Sequence, residues 1–161
     1  MRAFFWIGLV VTLLVIQATL VPMLFTGGVR PDLLLVAVVS TGLLFGKEPA
    51  IGLGFFAGLL QDLASGTVFG LNILAKMAVG YAFGLAERNI FKENIVLPVL
   101  AVMLATLLQS LFMMSFLVVA GYSVNFFAEL QYQVLPTLLY NVILAVPVHY
   151  VCFCFNRCQV E

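Results

Sequence analysis

Two sets of side chains in this chain are of types that could do chemistry. His149, Cys152, Cys154 and Cys158 are potential ligands for a transition metal, and Asp62 and Lys76 are opposite charges in otherwise apolar sequence. A zinc site needs such ligands to converge on one point. On a helix these four positions do not share a face, and buried cysteine commonly behaves as a small hydrophobe, so no metal is expected. The three cysteines sit together at the end of an apolar run and do not form a disulfide framework. His149, two residues after Pro147, is a lone imidazole whose ordinary fate is a hydrogen bond. No Ser-His-Asp set, paired-carboxylate site or phosphate loop is present, so catalysis has no visible apparatus and no cofactor is expected.

Asp62 and Lys76 admit two readings. A charge within a bilayer costs several kcal/mol on insertion scales, so it is paired, snorkelling or functional. Asp62 lies about 5 Å before the Ser65-Gly66 turn, and Lys76 lies about 12 to 15 Å beyond it along the next helix. An extended lysine stem leaning outward can cover the difference. In one reading the two pair, directly or through Asn72 or Ser65, and define a polar pocket or docking point near the outer face. In the other, Asp62 caps the Ser65-Gly66 turn through local amides while Lys76 snorkels alone. A proton path is disfavoured, because relays use several titratable groups in series.

The elements that must position these residues are membrane helices. Of 161 residues, 64% are hydrophobic and 9% charged, against roughly 25% charged in a soluble domain. A crossing takes about 20 apolar residues, so the chain holds five or six in a single integral domain, residues 1–161. Seven basic and seven acidic residues cancel without a basic stripe, which removes the footing for nucleic-acid binding. The Met1 to Val21 segment superficially matches a secretory signal, but no small-x-small cleavage pattern precedes Pro22 and the run is long enough to span. It is read as a retained first helix.

In chain order the expected helices are Phe4 to Val21, ended by Pro22 and the Thr26-Gly27-Gly28 turn, then Leu33 to Phe45, and Ala50 to Leu60 and on to Asp62. Arg30-Pro31-Asp32 opens the second, with proline at the first helical position and charges suited to a water interface. The second and third are short. About thirteen residues rise only about 20 Å against a hydrocarbon core of roughly 30 Å, which predicts two tilted crossings or a re-entrant hairpin, the crossings being favoured. A fourth helix is expected over Val68 to Leu85, and the charged Glu87 to Asn94 loop follows it. Ile95 to Ala120 is the fifth, Val124 to Gln133 an amphipathic interfacial link, and Val134 to Phe155 the sixth. Gln109, Ser110 and Asn141 are expected to bridge helices.

Counting Lys and Arg in short loops places Arg2, Lys47, Arg88, Lys92 and Arg157 on the cytoplasmic side and only Arg30 outside. The fold class is therefore an all-α integral membrane protein, a compact bundle of six transmembrane helices with both termini cytoplasmic and the Ser65-Gly66 turn outward. Small-x-x-x-small pairs recur at Gly42/Gly46, Gly54/Gly58, Gly66/Gly70 and Gly80/Gly84, a spacing that lets helices approach closely in lipid. They serve either internal packing or a partner surface.

The stretch from Gly54 to Asn72, with its core Gly58-x-x-x-Asp62-Leu63-x-Ser65-Gly66-x-x-x-Gly70-Leu71, resembles the signature of the rod shape-determining protein MreD family. Arg30-Pro31-Asp32 before an apolar run, chain length and helix count agree with it. Asp62, Ser65, Gly66 and Gly70 carry over as motif positions, while Lys76 is singled out by its charge alone. The resemblance implies a non-enzymatic, multi-pass component of the bacterial inner membrane that controls cell shape. Such proteins bind the bitopic protein MreC. With it they help couple MreB filaments to the lateral wall synthases, RodA and its transpeptidase partner. Self-association is compatible with the same small-residue surfaces. In architecture the family also resembles the substrate-binding membrane subunit of energy-coupling-factor vitamin transporters, and that supplies the rival expectation, a ligand-binding transporter subunit.

Overall fold

The computed structural model describes residues 2–24, 31–66, 68–86, 96–122 and 125–160, with backbone alone at 2–5, 20–24, 126 and 155–160. Its helices are α1 (Arg2–Leu24), α2 (Leu33–Phe45), α3 (Lys47–Ser65), α4 (Leu71–Leu85), α5 (Val96–Val119) and α6 (Phe126–Glu129). The last continues through a π-helical turn (Leu130–Val134) into α7 (Leu135–Val160). No strand occurs among the described residues. Arg30, the Thr26-Gly27-Gly28 turn and the Glu87 to Asn94 loop lie outside them.

The architecture is centred on α2. Its sequence is apolar on every side, and a helix of that kind has to be enclosed. Every residue from Leu33 to Leu44 is buried. α1, α3, α4, α5 and α7 all pack against it. The short helix thus reaches about 20 Å, as its thirteen residues require, inside a jacket of longer ones.

The third helix is not short. α3 has nineteen residues and starts at Lys47, so Gly46 alone joins it to α2. Pro49 interrupts nothing because it stands in the first turn, where amides have no intrahelical partner. α1 runs past Pro22 to Leu24, since proline forfeits one bond to the preceding turn and leaves later amides free to bond. α4 begins at Leu71 rather than Val68, for a reason that lies in its cap.

The polarity of the bundle is that of a membrane protein. Leu100, Leu104, Leu108 and Leu111 form an exposed stripe on α5, and Leu139, Ile143, Val146 and Tyr150 form another on α7. In water such stripes would face the core. Here they face outward, while the interior holds Asp32, Asp62, Asn72, Lys76, Thr106 and Asn141 beside its apolar core. Residues Val96–Val119 and Phe127–Cys154 are long and apolar enough to cross a bilayer. Phe127 and Tyr132 are exposed on the segment expected to lie at the interface.

Candidate functional site

Two polar clusters hold this bundle together, and the first is at the α3–α4 hairpin. The residue before α4 is Gly70, which has no side chain to cap the helix, yet the first amides of any helix need an acceptor. Asp62, from the last turn of α3, provides it. Its Oδ2 accepts from the Gly70 N–H at 2.9 Å, and its Oδ1 accepts from the Asn72 N–H at 3.2 Å and from Asn72 Nδ2 at 2.8 Å. A longer contact of 3.4 Å runs from the Ile73 N–H to Oδ2. The positive end of the α4 dipole favours a carboxylate at the same place.

The glycines of the motif make this geometry attainable. Gly66 ends α3 at φ +62° and Gly70 opens α4 at φ +95°, left-handed conformations that a side chain would strain. At Gly58 a methyl group would stand 2.5 Å from the Ile73 Cα, and at Gly54 it would stand 2.7 Å from the Lys76 carbonyl oxygen. Gly80 approaches Ala50, and Gly84 approaches Lys47 and Gly42. Gly54, Gly58, Gly80 and Gly84 are therefore used within the chain, chiefly in the extensive α3–α4 contact. Gly66 and Gly70 belong to the turn and form no helix face. Leu71 is buried, whereas Leu63 and Ser65 are exposed.

The second cluster lies at the start of α2. Asp32 caps that helix, its Oδ1 accepting from the Leu35 N–H at 3.0 Å. Its Oδ2 accepts from Lys76 Nζ at 2.7 Å and from Gln109 Nε2 at 2.9 Å. The Asp32 N–H donates to Asn141 Oδ1 at 2.8 Å, and Asn141 Nδ2 donates to Thr106 Oγ1 at 3.1 Å. Thr106 Oγ1 in turn donates to the Val102 carbonyl at 2.8 Å, and Ser110 Oγ donates to the Thr106 carbonyl at 2.8 Å. Lys76 and Asn141 are fully buried. One ion pair and two amides thereby tie α2, α4, α5 and α7 at a single point.

This arrangement corrects the sequence-based expectation at three residues. Lys76 neither pairs with Asp62 nor snorkels, because Asp32 lies within reach across the bundle. Asp32 is not at a water interface but buried. Pro31, also buried, precedes the cap and does not take the first helical position. Asp62 does bond local amides, those of the next helix rather than of Ser65 and Gly66. The pairing of Asp32 with Lys76 left a trace in the sequence: a fully apolar helix opening on aspartate must bring that carboxylate inside with it, where it needs a cation. Gln109 and Asn141 bridge helices, whereas Ser110 bonds within its own. Arg30 is outside the described residues. At the carboxyl end Cys152 is buried and Cys154 exposed, the Cys158 side chain lies outside the described residues, and no metal-ligating group of three occurs among those described.

Chemically, both clusters hold rather than convert. Each carboxylate is surrounded by donors from its own chain. The motif residues are thus spent on closing a hairpin, and the buried pair on joining four helices. Comparison with curated proteins and with solved structures gives no match. A profile of the rod shape-determining protein MreD family does match, over residues 1–158, and the chain belongs to that family.

Proposed function

We propose that this protein is a non-enzymatic scaffold of the bacterial inner membrane, crossing it six times with both termini cytoplasmic, that controls cell shape by binding MreC. Through MreC it would help couple MreB filaments to RodA and its transpeptidase partner in lateral peptidoglycan synthesis. The observation that carries the reading is where the polarity goes: the buried charges of Asp32 and Lys76 and the Asn141 amide are bonded inside the bundle, and the helices turn apolar faces outward. A transmembrane partner is recognised in lipid by packing, which such faces offer. The excess of Lys and Arg in the loops assigned to the cytoplasm supports the orientation. The glycine pairs within α3 and α4 are used internally, so contact with MreC falls to the outward stripes of α5 and α7 or to α1.

Co-expression of both full chains and extraction in mild detergent test the proposal. Capture of this chain should retain MreC in fixed stoichiometry, and replacing Leu104 and Leu108 or Leu139 and Ile143 with tryptophan should weaken that retention on one stripe only. Elution of MreC free of this chain from the same extract would overturn it. So would solute flux across vesicles containing the purified chain alone.

A further inference from the structure

We propose that the cleft between α5 and the π-helical turn is a binding site for a primary ammonium group carried on a short alkyl stem. The cleft has a volume of about 180 Å³ and its polar lining comes from Gln109, Ser110, Glu129, Gln133 and Thr137. Each of these presents an oxygen acceptor, and among the described residues no cationic side chain lines the cleft. Among the described residues Glu129 supplies the one full charge of the lining, and the only ion pair is the one between Lys76 and Asp32, so no described cation pairs with that carboxylate.

A second observation points the same way from inside the bundle. Gln109 Nε2 is committed to Asp32, which fixes the direction of the amide and leaves Oε1 buried without a hydrogen-bond partner. A buried acceptor calls for a donor. Ser110 Oγ gives its proton to the Thr106 carbonyl, so toward the cleft it too can only accept. An ammonium has three N–H donors and no acceptor, which suits a lining in which every polar side chain can accept and one carries a negative charge. Met113 and Leu117 provide an apolar wall for methylene groups.

Size and position narrow the class. Sites for drug-sized ligands occupy about 300 to 1,000 Å³, so this cleft takes a group of a few heavy atoms. The π-turn that brings Gln133 and Val134 to it is a rare geometry that recurs at functional sites. Exposed Phe127 and Tyr132 lie close to the cleft in sequence, on the segment expected to lie at the membrane interface, where aromatic side chains favour the headgroup level. Ethanolamine fits the requirement, either free or as the headgroup of a phospholipid. The inference does not rest on the scaffold reading.

The test uses the full chain purified in detergent. Its melting temperature is measured in ethanolamine hydrochloride and in choline chloride at equal ionic strength. Lipid retention is measured by native mass spectrometry after mixing with equal amounts of phosphatidylethanolamine and phosphatidylcholine. Choline is the control because its quaternary nitrogen has no N–H to give the acceptors of the lining. The primary amine should be preferred at least fivefold in retention, or should shift melting where choline does not. Glu129→Gln, and separately Thr137→Val two turns further along the same helix, should each reduce the preference. A preference in both arms identifies the headgroup chemistry alone as sufficient, and one confined to the lipid arm identifies phospholipid as the source. Equal behaviour of amine and choline in both arms would overturn the proposal, as would a preference that survives both substitutions.

Discussion

At Asp62 one carboxylate serves four donors, three of them backbone amides of the following helix. Removing it leaves buried N–H groups unsatisfied, each costing about 1–3 kcal/mol. Asp62→Ala should therefore lower the melting temperature in detergent more than Asn72→Ala does, since the latter removes only the side-chain donor. Asn141→Leu conserves size while stranding the Asp32 N–H, and a loss of about 1–3 kcal/mol is expected in the same assay. Because Asp62 and Lys76 bond different partners, Asp62→Asn combined with Lys76→Met should cost the sum of the single losses to within about 0.5 kcal/mol. That Asp62 mattered could be read from the sequence. Its partners could not, because local turn geometry and a cross-bundle ion pair leave the same trace: an acid, a turn and a lysine in apolar sequence.

Among the elements, α3 and α4 form the tightest unit, and glycine spacing predicts which substitutions part them. Gly58→Ala places a methyl against the Ile73 backbone, which cannot yield as a flexible side chain would. Gly52, in the same helix, has nothing within 4 Å of an added Cβ. Gly58→Ala should markedly reduce the folded yield in detergent, whereas Gly52→Ala should leave it unchanged or raise it, because alanine is the better helix former by about 1 kcal/mol. Element number and order were legible in the hydropathy, since a run of apolar residues is long or it is not. The ends were less so: α3 absorbs Lys47 to Pro49 because a helix's first turn tolerates proline, and α4 waits for Gly70 because its cap comes from α3. Neither fact lies within the segment it decides. The glycine pairs likewise signalled close packing, and only the fold could say that the neighbour is the next helix of this chain.

For the whole molecule, charge in the interior fastens helices together, and apolar faces are left outermost. Removing one member of a buried pair strands the other, at a cost of about 3–5 kcal/mol, whereas neutralising both does not. Asp32→Asn keeps a good helix cap, so it isolates the charge. Exchanging the charges should fail, because lysine cannot accept from Leu35 at the α2 cap. The direct measurement is a double-mutant cycle of Asp32→Asn and Lys76→Met, read by thermal unfolding of the purified chain in detergent. The double variant should be more stable than the sum of the single losses implies by about 2 kcal/mol or more. Additive losses at Asp32 and Lys76, with that coupling found between Asp62 and Lys76 instead, would overturn the role assigned to the Asp32–Lys76 pair.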